Sequence, residues 1–257
     1  MIHPSAVVDP GASLAGGVEV GPFAFIGADV RIGRGTRIGP HSVIRGPTEI
    51  GEDNRIFQFA SVGEEPQDKK YNGEPTRLIL GDRNVVRESA TIHRGTIQDQ
   101  SETRIGNDNL FMAYSHIAHD CIVGNHCIFA NGSSLAGHVE VGDYAILGGF
   151  ALVHQFTHIG TRAFCGMGSV ITRDIPPFST AAGGRAKVIG INKEGLRRNG
   201  FSPELIRALH KSFRELLKSK APKQDVFKDL EPLCDEYPEV EMFVNFIRNS
   251  ERGIASR

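Results

Sequence analysis

A large apolar residue returns at every sixth position over most of the chain. The first run passes through Val8, Leu14, Val20, Ile26, Ile32, Ile38, Ile44, Ile50, Ile56 and Val62. Leu80, Val86 and Ile92 follow an interruption, and a third run, in shifted phase, extends from Ile105 through Ile117, Leu135 and Val153 to Ile171. The residue four places after each anchor is usually small, as at Ala24, Thr36, Cys121 and Ala145, and Gly often follows the anchor directly, as at Gly33, Gly51 and Gly124. A period of six suits neither an amphipathic helix nor an alternating strand. It predicts a β-solenoid, in which each hexad is a short strand and a corner, with anchors and small partners inside. Three hexads close one triangular coil, and coils stack at about 4.8 Å, the spacing of hydrogen-bonded parallel strands. A single hexad cannot bury its own apolar edge, so neighbouring coils supply the core.

Two segments leave the pattern. Residues 63–79 are polar and carry Pro66 and Pro75, and residues 98–104 displace the phase by one. Both read as excursion loops, and insertions into a solenoid fall at its corners, often on the binding face. The hexad pattern ends at Asp174-Ile175-Pro176-Pro177. Beyond Ala182-Gly183-Gly184, Ser202-Pro203-Glu204 marks a capped helix start. Leu205, Ile206, Leu209, Phe213, Leu216 and Leu217 form one apolar face of that helix, and two more helices are expected over 223–235 and 238–249. The expected fold is an all-β parallel β-helix (1–190) followed by a small α-helical C-terminal domain (191–257). The hexapeptide pattern resembles the left-handed parallel β-helix of hexapeptide-repeat proteins, and the hand is taken from that resemblance.

Charge narrows the partners. Lys and Arg number 29 against 30 Asp and Glu, so no global field points to nucleic acid. The asymmetry is local: Arg197 and Arg198 precede a basic helix face of Arg207, Lys211, Arg214 and Lys218, suited to an acidic partner or a phosphate. Four cysteines show no CxxC spacing, and Cys121, Cys127 and Cys165 fall at inward positions, as small core residues in a reducing cytoplasm would. No apolar stretch is long enough to insert into a membrane. With the first hexad opening at Ile2, no signal peptide is expected. No cofactor and no metal are indicated.

Candidate chemistry lies in the histidines. His116 and His119 occur in Ser115-His116-Ile117-Ala118-His119-Asp120-Cys121, His138 lies one coil later, His154 and Gln155 one further, and His93 precedes them. Stacking brings these imidazoles within about 5–10 Å of one another. Imidazole is the best general base near neutral pH, and a carboxylate beside it, Asp120, can orient it. No GxSxG elbow is present, so direct attack assisted by a base is the simplest mechanism.

These segments carry a resemblance. Gln67-Asp68-Lys69-Lys70-Tyr71, Gly73-Glu74-Pro75-Thr76-Arg77, Thr91-Ile92-His93-Arg94-Gly95-Thr96, the His116–Cys121 segment, Leu135-Ala136-Gly137-His138, Val153-His154-Gln155-Phe156 and Glu194-Gly195-Leu196-Arg197-Arg198 are ordered as in one enzyme family. Together they closely resemble the acyl-carrier-protein-dependent UDP-N-acetylglucosamine O-acyltransferases that open lipid A biosynthesis. The resemblance covers the whole chain. It implies transfer of a 3-hydroxyacyl chain from acyl carrier protein to the glucosamine 3-hydroxyl of UDP-N-acetylglucosamine. His119 would be the base, Asp120 its orienting partner, and the Gly137 N–H an oxyanion donor. Asp68, Lys70, His93, His116, His138, His154 and Gln155 would bind substrate and acyl groups, and Arg198 the nucleotide phosphates. Met167, in Cys165-Gly166-Met167-Gly168, falls where the family measures acyl length, and its bulk would shorten the acyl groove. Members are homotrimers with active sites between subunits. Tyr114-Ser115 depart from the Asn-Ala of many relatives, beside the base. The rival expectation is a zinc hydratase of the carbonic anhydrase type, which also uses hexapeptide solenoids and histidine ligands.

Overall fold

The computed structural model describes residues 1–256. Strands of mostly two residues rotate in turn among three sheets of nine, eight and ten strands, parallel throughout except for the last strand of the ten. Face one starts with Val7–Val8 and Phe25–Ile26, face two with Ser13–Leu14 and Val30–Ile32, and face three with Glu19–Val20 and Arg37–Ile38. The anchors stack in register, so that Ile117 lies under Leu135, Leu135 under Val153 and Val153 under Ile171. Their side chains, with small residues such as Ala24, Ala90 and Ala145, fill the prism and exclude solvent.

Three asparagines also enter the core, in a ladder that satisfies them. The Asn54 side-chain carbonyl accepts the Asn84 N–H at 2.8 Å, Asn84 accepts that of Asn109 at 3.0 Å, and Asn109 accepts that of Cys127 at 2.7 Å. Each carboxamide thus replaces a backbone acceptor of the next coil, and burial leaves it with partners. The three cysteines of the solenoid are fully buried, which pushes their thiols up to about 12 and makes them inert core residues.

Most corners turn on a residue three places after the anchor with φ near +60°, as at Tyr114, Asp120, His126, His138, Tyr144, Phe150 and Phe156. Non-glycine residues there cost about 1–2 kcal/mol each. The coil above and below holds them: the His138 N–H donates to the His119 carbonyl, and that of Phe156 to the Gly137 carbonyl.

Both excursions leave the corner between faces one and two, and the strands run further into them than the pattern implied. Ser61–Glu64 and Arg77–Leu80 flank the first, so it occupies 65–76 within the expected 63–79. Glu102–Ile105 is a strand paired with Arg77–Leu80, so the second lies at 94–101 rather than 98–104. The two loops are joined where the Arg94 guanidinium donates to the Tyr71 hydroxyl at 3.0 Å.

The parallel ladder ends at Ser179–Ala182, which pairs antiparallel with Lys187–Ile191. Four helices follow: α1 (Lys193–Arg198), α2 (Pro203–Leu217), α3 (Lys223–Glu236) and α4 (Pro238–Asn249). Ser202 caps α2 by accepting the Leu205 N–H, with Pro203 in the first turn. After α4 the chain returns to the solenoid. Buried Asp174 receives the Ser250 hydroxyl at 2.6 Å and the His158 N–H at 2.9 Å. Among the described residues, no helix is long and apolar enough to cross a membrane.

Candidate active site

The corner between faces one and two gathers most of the candidate chemical groups. Register places His119, Gly137 and Gln155 in one column, two positions after their anchors, and Asp120, His138 and Phe156 in the next. The left-handed corner residues turn their side chains out of the prism, and the excursions fold over them.

His119 and Asp120 are both buried, and His119 Nδ1 lies 2.8 Å from Asp120 Oδ2. A carboxylate accepts, so Nδ1 carries a proton, and in the neutral form of the ring Nε2 keeps its lone pair. The Asp120 carboxylate is itself clamped. Its Oδ1 accepts the Thr96 N–H at 2.8 Å, and its Oδ2 accepts the Thr96 hydroxyl at 2.6 Å. Its own N–H donates to Thr103 Oγ1 at 2.8 Å, because the coil beneath is the excursion and offers no carbonyl. Burial pushes the Asp120 carboxyl up, but the bonds from His119 and Thr96 outweigh it and hold the group below the usual carboxylate range. Thr96 and Thr103 are candidate supports of the site that spacing misses. They stand 24 and 17 residues before Asp120, across an irregular loop. Thr96 lies in the family-like run from Thr91, which is the signal that could have raised it.

Gly137 is small for a steric reason. An ideal Cβ there would lie 2.4 Å from His119 Cε1 and 2.7 Å from Nε2, so only a hydrogen fits beneath the ring. The Gly137 N–H donates to no acceptor among the described residues. Gln155, in the same column, shares this free N–H, whereas at another corner the N–H groups of Asn107 and Asn125 donate to neighbouring side chains.

His138 stacks face to face on Phe156, with centroids 4.5 Å apart, and meets His119 edge-on at 5.1 Å. His138 Nδ1 lies 2.9 Å from Asp99 Oδ2, and Nε2 lies 3.7 Å from Asp120 Oδ2. A cavity of about 660 Å³ opens here. It brings together the expected residues Asp68, Lys70, His119, His138 and Gln155, and adds Gln67, Gln98, Asp99 and Phe156. His119, Asp120 and His138 also offer ligand atoms within 4.8 Å of one another, so the same cluster could hold a metal ion. Asp120 Oδ2 already accepts two hydrogen bonds, which suits proton transfer at His119.

Other expected residues stand apart from this cavity within one chain. His93 is buried, edge-on to His116 at 5.0 Å, and its Nδ1 has no partner among the described residues. Burial, with His116 and His119 nearby, pushes the His93 imidazole down to about 4, and burial lowers His116 as well. His116 Nδ1 contacts the Thr91 hydroxyl at 2.7 Å. His154 is exposed, and its Nδ1 lies 2.7 Å from an Arg252 guanidinium nitrogen and 3.1 Å from the Gln155 carbonyl oxygen. Arg198 lies on α1, paired with Glu194 at 2.9 Å. Met167 projects from the corner between faces three and one and is 83% exposed.

Comparison with known proteins names this arrangement. Residues 174–255 match the family model described as UDP-N-acetylglucosamine O-acyltransferase, domain 2, and residues 102–137 match the bacterial transferase hexapeptide model. A Pseudomonas putida (strain W619) protein, 56% identical over 98% of both chains, is an acyl-[acyl-carrier-protein]–UDP-N-acetylglucosamine O-acyltransferase. A Stutzerimonas stutzeri protein of the same name is 52% identical, over 99% of this chain and 98% of its own. The solved structure of LpxA from Acinetobacter baumannii superposes with a TM-score of 0.96 at 44% identity, covering 99% of each chain. The UDP-N-acetylglucosamine O-acyltransferase of Moraxella catarrhalis superposes equally well at 42% identity, again over 99% of each chain. With the repeat, the helical tail and the whole length in agreement, the chain belongs to the UDP-N-acetylglucosamine O-acyltransferase family.

Proposed function

We propose that this protein transfers a 3-hydroxyacyl chain from acyl carrier protein to the glucosamine 3-hydroxyl of UDP-N-acetylglucosamine, the reaction that opens lipid A synthesis. The observation that carries the mechanism is His119, which lines the cavity and is locked through Nδ1 to the clamped Asp120 carboxylate, leaving Nε2 on the opposite edge of the ring. His119 Nε2 takes the hydroxyl proton as the sugar oxygen attacks the thioester carbon. The Gly137 N–H donates to the oxyanion that develops on the carbonyl oxygen. Collapse breaks the carbon–sulfur bond, and the proton on Nε2 passes to the departing carrier thiolate. An ester and a free carrier thiol result, and no cofactor is consumed. Asp120 keeps the imidazole in one tautomer and stabilises the imidazolium between the two proton transfers.

Asp68, Lys70, His138 and Gln155 line the cavity and bind the sugar and acyl groups. His93, His116, His154, Arg198 and Met167 complete the site from neighbouring chains of a homotrimer, with Arg198 at the phosphates and Met167 limiting acyl length. Assembly of this kind is supported by an outward apolar stripe on face three, Val85, Leu110, Ile128, Ile146 and Phe164, stacked in register on successive coils. A groove of about 790 Å³ along α2, with Arg197, Arg207, Lys211, Arg214 and Lys218 on its walls, supplies the positive surface for the carrier protein. Unpaired buried thiols fit a cytoplasmic location. The zinc hydratase reading is set aside, since the full-length relatives described above are acyltransferases. The test is incubation of the pure protein with UDP-N-acetylglucosamine and hydroxyacyl carrier proteins of graded length, for wild type and Met167→Gly. A 3-O-acyl product, with longer chains accepted by the variant, supports the reading. A wild type that forms no ester overturns the assignment, and unchanged chain preference removes Met167 from it.

A further inference from the structure

Three contacts restrain the His138 ring, and only one of them can choose its orientation. The stack on Phe156, tilted by 14°, fixes the ring plane. A half-turn about the Cβ–Cγ bond leaves that plane unchanged while exchanging Nδ1 with Cδ2 and Nε2 with Cε1. The edge-on contact with His119 is equally indifferent to such a turn. Of the two contacts that distinguish nitrogen from carbon, only Nδ1 to Asp99 Oδ2, at 2.9 Å, is within hydrogen-bond distance. It also fixes the proton, because a carboxylate only accepts. The consequence lies on the other edge of the ring, where Nε2 comes to 3.7 Å from Asp120 Oδ2, next to the base. A turned ring would place a carbon there and leave the nitrogen away from the reacting groups.

Asp99 lies on the 94–101 excursion, three residues beyond Thr96, whose buried backbone N–H donates to Asp120. We propose that Asp99 is a positioning residue for His138, so that this one loop aligns both imidazoles of the site: His119 through Thr96 and Asp120, and His138 directly. The role rests on the acyl-transfer reading for its consequence, since His138 then contacts the sugar substrate. Fixing a substrate-binding ring acts alike on the ground and transition states, so its loss appears in KM. Asp99 is itself partly exposed and outside the prism, so its replacement leaves the core untouched.

The experiment compares Asp99→Ala, Asp99→Asn and Asp99→Glu in the assembled protein. Steady-state acyl transfer is measured together with the ring nitrogen signals of 15N-histidine-labelled protein. In Asp99→Ala the KM for UDP-N-acetylglucosamine rises about tenfold, with kcat within about threefold. The His138 signals change from a single Nδ1–H form to a mixture. Asp99→Asn, which keeps an accepting oxygen, and Asp99→Glu recover most of the loss. An Asp99→Ala protein with wild-type KM overturns the proposal, and so does one with unchanged His138 signals. If wild type transfers no acyl group, the functional reading falls, while the ring signals still decide whether Asp99 orients His138.

Discussion

Replacing Gly137 by Ala tests the geometry at its tightest point. The added Cβ would lie 2.4, 2.7 and 3.0 Å from Cε1, Nε2 and Nδ1 of His119. Carbon atoms in contact sit about 3.5–4.0 Å apart, so the ring must retreat by about 1 Å. The His119 Nδ1 bond to Asp120, 2.8 Å in the native site, is then stretched past the range of a hydrogen bond. A misplacement of this size costs about 100-fold in rate, so kcat should fall by about that factor. Stability should hold, because Gly137 does not occupy the left-handed region and the nearest atoms are those of the movable imidazole. The assay is steady-state transfer beside a thermal melt, repeated in a His119→Ala background. With the base absent, Gly137→Ala should add almost nothing, a coupling of about 2.7 kcal/mol. A kcat within threefold of wild type would refute the steric argument. So would an undiminished 100-fold loss in the His119→Ala background, since Gly137 would then act without the base.

Three further outcomes follow from the contacts. Thr96→Val removes the hydroxyl donor to Asp120 while keeping the backbone one, and should lower kcat about tenfold at unchanged KM for either substrate. Equal kcat would show that the backbone donor suffices. Reversal of Arg207, Lys211 and Arg214 to Glu should raise the KM for acyl carrier protein at low salt. The gap from wild type should narrow above about 0.5 M salt, where charges are screened within a few ångströms. Identical KM values would show a merely solvated face. His93, held down at about 4 when folded against about 6.5 unfolded, binds its proton more readily in the unfolded chain. Its contribution is therefore complete above pH 6.5 and is lost as pH falls toward 4, by about 3 kcal/mol per chain. Urea midpoints at pH 7.5 and 5 should differ more for wild type than for His93→Gln, and parallel shifts would remove His93 as the cause.

The solenoid was legible because its core is one-dimensional. A residue buried in one coil predicts its neighbour a coil away, and local sequence carries the whole pattern. The excursions show the limit. From Val62 to Leu80 the chain spends 18 residues on a step that otherwise takes six, and the extra 12 are two whole hexads, so the phase survives and strand ends within 63–79 stay hidden. From Ile92 to Ile105 it spends 13, and the extra seven appear as a shift of one. His119 and Asp120 were legible as sequence neighbours. Thr96 and Asp99 were not, because a loop without periodicity delivers them across the corner. Nor could spacing tell that His93 is buried with a lowered pKa, or that Arg198 and Met167 stand away from the cavity of their own chain.

The central claim is that His119 is the base. Its most direct test is the rate of acyl transfer by His119→Ala in protein that keeps the assembly and melting temperature of wild type. The expected loss is about 10²–10⁴-fold, the contribution of a positioned general base. Transfer within a few-fold of wild type would contradict it.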